Sequence, residues 1–128
     1  RSAGASVVPL DDPDPHVQAQ TANQFEADLY LGLDAVDAAV ARSIYYAVPA
    51  FESAAGKALA DHLRAALVGR RVVAEAELVG MRLPILRETR MPAVWCELGP
   101  VSLLVERSVA VADAVSDAVI GWAVRSRG

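Results

Sequence analysis

Short apolar runs of strand length alternate with helix-length stretches along this chain, and that alternation constrains its fold more than any other feature. Asp28-Leu29-Tyr30-Leu31-Gly32-Leu33 reads as a strand and Arg42 to Val48 as another; a third apolar run lies within Gly80 to Leu86, and a fourth spans Met91 to Leu98. The β-branched stretch Ala5-Ser6-Val7-Val8-Pro9-Leu10 precedes them and is closed by the turn signal Asp11-Asp12-Pro13-Asp14-Pro15. Helical stretches fill the intervals. His16 to Glu26 offers Val17, Ala19 or Gln20, and Phe25 to one face. After Pro49, Phe51-Glu52-Ser53 opens the clearest helix, in which Ala55, Leu59, Leu63, Ala66 and Leu67 recur at three- and four-residue spacing. Lys57, Asp61 and Arg64 fall on its outer face, and Gly69 is the expected stop. Gly99-Pro100 ends the fourth apolar run, and Val101 to Arg125 reads as one long, nearly uncharged helix packed on a sheet. Strands separated by helices of this length return in parallel, so the expectation is an α/β fold, a mostly parallel sheet flanked by helices.

Composition narrows the function. A length of 128 residues predicts one domain over 1–128. With 54% hydrophobic residues and a mean hydropathy of +0.29, disorder is excluded. Aromatic residues make up only 5%, so Ala and Val carry the apolar content and favour closely packed helices on a Val/Leu sheet. A net charge of −4 argues against nucleic acid as a partner, which calls for a basic face. No apolar run reaches the roughly 18 residues a membrane span needs. Cys96 is the single cysteine, so nothing demands an oxidising compartment. The start, Arg1-Ser2-Ala3-Gly4, has no Met and no signal-like region and reads as a processed boundary. The expected location is the cytoplasm.

No phosphate loop, HExxH, metal-spaced Cys cluster or nucleophile elbow is present. His16 and His62 lie far apart in different helices, and both read as solvated or partly exposed helix residues. Glu97 is more suggestive. It sits near the carboxyl end of the apolar run Ala93-Val94-Trp95-Cys96-Glu97-Leu98, where α/β sheets place their functional crevice. There it can act as a general base, or, more plainly, reach water or a backbone group. Cys96 alternates with Glu97, faces the other way, and reads as a small buried hydrophobe.

The segment Leu86-Arg87-Glu88-Thr89-Arg90-Met91-Pro92-Ala93-Val94-Trp95-Cys96-Glu97-Leu98-Gly99 resembles the C-terminal signature of the zinc-dependent N-acetylmuramoyl-L-alanine amidases of the amidase_3 type. Other parts follow in order. Gly4 to Leu10 resembles that family's second strand, Ala22-Asn23 with Ala27 to Leu31 the helix and strand leading to a histidine ligand, and Ile44-Tyr45-Tyr46 the strand after the substrate loop. The resemblance implies a catalytic glutamate at Glu97. It also places a zinc-ligating histidine position on Asp34, with the family's other two ligands, a histidine and a glutamate, before the region matched here. The first strand region of the family fold is then expected to be missing, leaving a sticky open sheet edge. An arginine usual in the family stands here as Gln18, the loop Ala35 to Ala41 is short and lacks Asn-rich polar residues, and Pro100-Val101-Ser102 replaces the usual aromatic and Ser-Asn pattern.

A carboxylate in place of imidazole changes the charge and reach of a zinc ligand. The reading is therefore a degenerate amidase with its zinc site lost, similar to the CwlM-type non-catalytic members, and its Ala/Val/Arg-rich composition fits an actinobacterial source. Such a protein would have no cofactor and would regulate peptidoglycan synthesis through a protein partner. Two alternatives stand beside it: an active amidase holding zinc through Asp34 and ligands supplied elsewhere, and a module that binds muropeptide without cutting it.

Overall fold

The computed structural model describes residues 14–24 and 27–127. The predicted strand at Ala5 to Leu10 and the expected roles of Phe25 and Glu26 lie outside the described residues. Among the described residues the elements follow in order: α1 (Pro15–Gln24), β1 (Tyr30–Ala35), β2 (Ala41–Val48), β3 (Phe51–Glu52), α2 (Ala54–Gly69), β4 (Glu77–Met81), α3 (Pro84–Glu88), β5 (Ala93–Leu98), α4 (Val101–Glu106) and α5 (Ser108–Arg127). The fold is α/β, with a mixed sheet flanked by helices. β1 pairs with β5 and β2 with β4 in parallel, whereas β2 pairs with β5 and with the short β3 antiparallel. The crossover from β2 through α2 to β4 is the parallel return that the spacing of strand and helix predicts.

The two faces of the sheet bury different sets of side chains, because alternate residues of a strand point opposite ways. On one face Val94, Cys96 and Leu98 of β5 and Tyr45 of β2 pack with Leu59, Leu63 and Leu67 of α2 and Val111, Ala114 and Ala118 of α5. Ser43, buried on this face, donates its hydroxyl to the Ala60 carbonyl at 2.7 Å and ties β2 to α2. On the other face Tyr30, Ile44 and Ala93 pack with Ala19 and Ala22 of α1 and Ile85 and Leu86 of α3. Asn23 joins the two short helices by donating to the Glu88 carbonyl and accepting from the Arg90 N–H.

Several boundaries differ from the sequence reading. Phe51 and Glu52 form β3, and the helix starts after Ser53, whose Oγ caps it by accepting the Gly56 N–H at 3.0 Å. Its buried face runs through Gly56, Leu59, Ala60, Leu63 and Leu67; Ala55 is exposed. Gly69 remains helical, and Arg71 takes the left-handed turn at φ 58°. The chain turns there because Val72 must enter the core beside Leu67. The Val72 N–H donates to the Leu67 carbonyl and the Arg71 N–H to the Val68 carbonyl, closing the helix with a Schellman pattern. The apolar run in Gly80 to Leu86 divides into the end of β4 and helix α3, whose Pro84 sits in the first turn.

The expected single helix Val101 to Arg125 is two helices, broken at Arg107, and α5 packs chiefly on α2. At the break the Arg107 Nη2 donates to the carbonyls of Arg71 at 2.8 Å and Arg70 at 3.3 Å. That guanidinium ties α5 to the two residues that follow α2, where the helix dipole favours a cation.

Candidate functional site

The carboxyl ends of β1 and β5 lie side by side, and their register makes Asp34 the partner of Glu97. The antiparallel pairing of β5 with β2 places Arg42 opposite Glu97, and the parallel pairing of β2 with β4 places Glu77 opposite Arg42. Register partners share a face, so Asp34, Glu97, Arg42 and Glu77 form one transverse row across four strands. It stands at the end of the sheet face that α1 and α3 cover elsewhere. The next row holds Gly32, Trp95, Ile44 and Val79. Trp95 lies over Gly32, where a Cβ would collide with the indole.

Arg42 Nη2 lies 2.5 Å from Glu97 Oε1, with the side chains 35% and 20% exposed. The contact is an ion pair whose alignment falls outside hydrogen-bond geometry. Glu97 Oε1 is closed off without a hydrogen-bond partner, and so is Arg42 Nε. The guanidinium is therefore partly enclosed against the sheet. Asp34 is half-buried and Glu77 exposed.

The β1–β2 loop folds across the end of this row. The Val36 N–H donates to the Leu98 carbonyl at 3.0 Å and the Gly99 N–H to the Val40 carbonyl at 2.8 Å. Gly99 is required by close approach: a Cβ there would collide with the carbonyl oxygens of Val36 and Ala38. The short loop is thus pinned to the strand ends.

The remaining candidates lie elsewhere. Cys96 is buried on the opposite face, and burial, aided by the negative charge of Glu97, pushes its thiol up to about 12. His16 is exposed but paired, its Nδ1 2.6 Å from Glu88 Oε1. His62 is half-buried on α2 and faces Gly121 of α5, where a Cβ would come within 3.0 Å of its Nδ1. Gln18 accepts the Tyr30 hydroxyl at 2.6 Å, and burial raises the Tyr30 pKa. The sequence reading placed Asp34 and Glu97 at strand ends, and the fold brings them together; the histidines join neither. Arg42 was read only as the first residue of a strand. Its signal was a charge on the same alternation as Ile44 and Tyr46.

Structural and catalytic zinc sites take at least three protein ligands. Among the described residues, no group of three His, Cys, Asp or Glu side chains is placed to hold a metal. The row instead sets a fixed cation between Glu97 and Glu77.

Comparison with known proteins identifies the fold. No protein-family model matches the sequence, and no curated protein matches it. Solved structures do. The catalytic domain of CwlV, an N-acetylmuramoyl-L-alanine amidase from Bacillus (Paenibacillus) polymyxa, superposes with a TM-score of 0.71 at 18% identity, over 85% of this chain and 65% of that one. The N-acetylmuramoyl-L-alanine amidase from Clostridium difficile 630 gives 0.73 at 20% identity, over 90% and 67%. The CwlD amidase from Clostridioides difficile, solved in complex with the GerS lipoprotein, gives 0.63 at 16% identity, over 84% and 61%. The chain thus spans 61% to 67% of these structures and has the fold of that part of them.

Proposed function

We propose that this chain is a non-catalytic peptidoglycan-amidase-like domain, acting without zinc in the cytoplasm to regulate peptidoglycan synthesis through protein contacts. The observation that carries the reading is the ion pair between Arg42 and Glu97. A general base must present a free oxygen to the water it activates. Here one carboxylate oxygen is closed off and lies 2.5 Å from a permanently charged guanidinium. Without a metal to polarise the scissile carbonyl, amide hydrolysis also loses several kcal/mol of transition-state stabilisation. Two observations support protein contact. The CwlD neighbour is complexed with a lipoprotein, and Val101, Val105 and Val109 of α4 and α5 are exposed apolar side chains.

The pairing of Asp34 with Glu97 favours one alternative: an active zinc-dependent amidase hydrolysing the bond between the muramoyl group and L-alanine, with further ligands from outside the described residues. Incubating the chain with zinc and N-acetylmuramoyl-L-alanyl peptides, and following peptide release by mass spectrometry, separates the two. The proposal predicts no release, and no difference between the chain and its Glu97→Gln variant. Release that the variant abolishes would establish the hydrolase.

A further inference from the structure

α5 turns a bare apolar face to solvent. Its inward side chains, Val111, Ala114 and Ala118, join the core that α2 covers. On the opposite side Val109 is 74% exposed, Ile120 42% and Val124 65%. Ala112, exposed, and Ser116, half-buried, lie between them. At 3.6 residues per turn these five positions fall within an arc of about 120° centred away from the core. Two carboxylates stand along the flank nearer α2, and both are engaged by Arg70: Asp117 accepts from its Nε at 2.6 Å, and Asp113 lies 3.8 Å from its Nη1. The face is therefore apolar, small in its middle, and bordered by charges that its own chain answers.

We propose that this face of α5 is an interface between two copies of this chain, packed antiparallel about Ser116. The order of side chains along the helix is self-complementary in that arrangement. With a twofold axis at Ser116, Ala112 of each copy meets Ile120 of the other, and Val109 comes beside Val124. Small thus faces large on both sides of the axis, and the short Ser116 side chain lets the helices cross closely. A parallel pair would set Ile120 on Ile120 and Ala112 on Ala112, a clash beside a gap. α5 has 20 residues and is about 30 Å long. Contact along that length buries roughly 1,000 Å² in total, at the low end of specific interfaces, so the dimer is a weak one with a dissociation constant on the order of 100 µM. The inference goes beyond the function proposed above and holds whether or not the chain is catalytic.

The test is sedimentation equilibrium of the chain and its variants from about 5 µM to about 1 mM, a range that brackets the expected constant. Circular dichroism of each variant checks folding. The parent should pass from monomer to dimer across this range. Ser116→Arg, which sets a long charged side chain on the axis, should stay monomeric. Val68→Ser, on α2 and 36% exposed, lies off the face and should dimerise as the parent does. Ala112→Lys and Ile120→Glu should each weaken association about 10-fold or more by burying an unpaired charge. An equimolar mixture of those two should recover it, because antiparallel packing brings the new cation of one copy to the new carboxylate of the other. Ala112→Lys, at an exposed position, is the reporter if Ser116→Arg does not fold. A parent that stays monomeric to about 1 mM, or a dimer that Ser116→Arg leaves intact, would overturn the interface and leave the face to a different protein. A mixture of folded variants that fails to recover association would overturn the antiparallel register.

Discussion

Two residues carry charges or angles whose consequences can be measured one at a time. Arg71 holds φ 58° at the end of α2, a conformation that costs an L-residue with a Cβ about 1 kcal/mol or more. Glycine adopts it freely, and the Arg71 carbonyl that accepts from Arg107 is retained in any substitution. Arg71→Gly is therefore expected to stabilise the chain by about 0.5–1 kcal/mol in urea unfolding; a loss of stability would contradict the strain. Cys96 is the second case. Its folded pKa, raised to about 12 by burial first and by Glu97 second, exceeds the unfolded value of about 8.5. The buried thiol thus contributes its full stability below about pH 8.5, and that contribution falls as pH rises towards 12. Native protein near pH 8 should leave Cys96 unlabelled by a thiol reagent, and denatured protein should label fully. Rapid labelling of the native thiol would refute its burial. The sequence disclosed this residue correctly through alternation with Glu97. It did not disclose Arg42 as the partner of Glu97, because cross-strand register depends on how β2 and β5 align and not on either strand alone.

Among the elements, the legible ones were those whose pattern is periodic over many residues. α2 announced itself through Leu59, Leu63 and Leu67, and β5 through Val94, Cys96 and Leu98. β3 is two residues long and carries no period. The joint between α4 and α5 was invisible for a different reason: Val and Ala continue through it, and the contact at the joint, Arg107 with the residues that follow α2, is long-range. The same end of α2 is fastened to α5 by Arg70, whose Nε donates to Asp117 Oδ2 at 2.6 Å and whose Nη1 lies 3.8 Å from Asp113. The hydrogen bond from Arg70, and then its charge, hold the Asp117 carboxyl below its usual range. A depressed folded pKa gives stability that is present above the unfolded value of about 3.9 and lost as pH falls through the lower folded value. Asp117→Asn should therefore lower the melting temperature near neutral pH and cease to differ from the parent at about pH 2. High salt should shrink the difference, since the pair is exposed. A difference that persists unchanged in acid would assign Asp117 a role other than this ion pair.

At the scale of the whole molecule, the strand and helix alternation was enough to anticipate an α/β architecture, and the superpositions match that architecture to part of solved amidase structures. Architecture alone does not carry activity. Three local features bear on activity: Asp34 beside Glu97 at the strand ends, Arg42 paired with Glu97, and a short loop pinned over Gly99. The sequence reading placed both residues of the first at strand ends, though not side by side. The second and third depend on strand register and on backbone approach, which composition and periodicity do not encode. The central claim is that this row of side chains does not hold zinc. Elemental analysis of the chain after incubation with zinc and exhaustive dialysis tests it most directly. The account predicts that no zinc is retained, whereas about one zinc per chain would contradict it and return Asp34 and Glu97 to the roles of ligand and base.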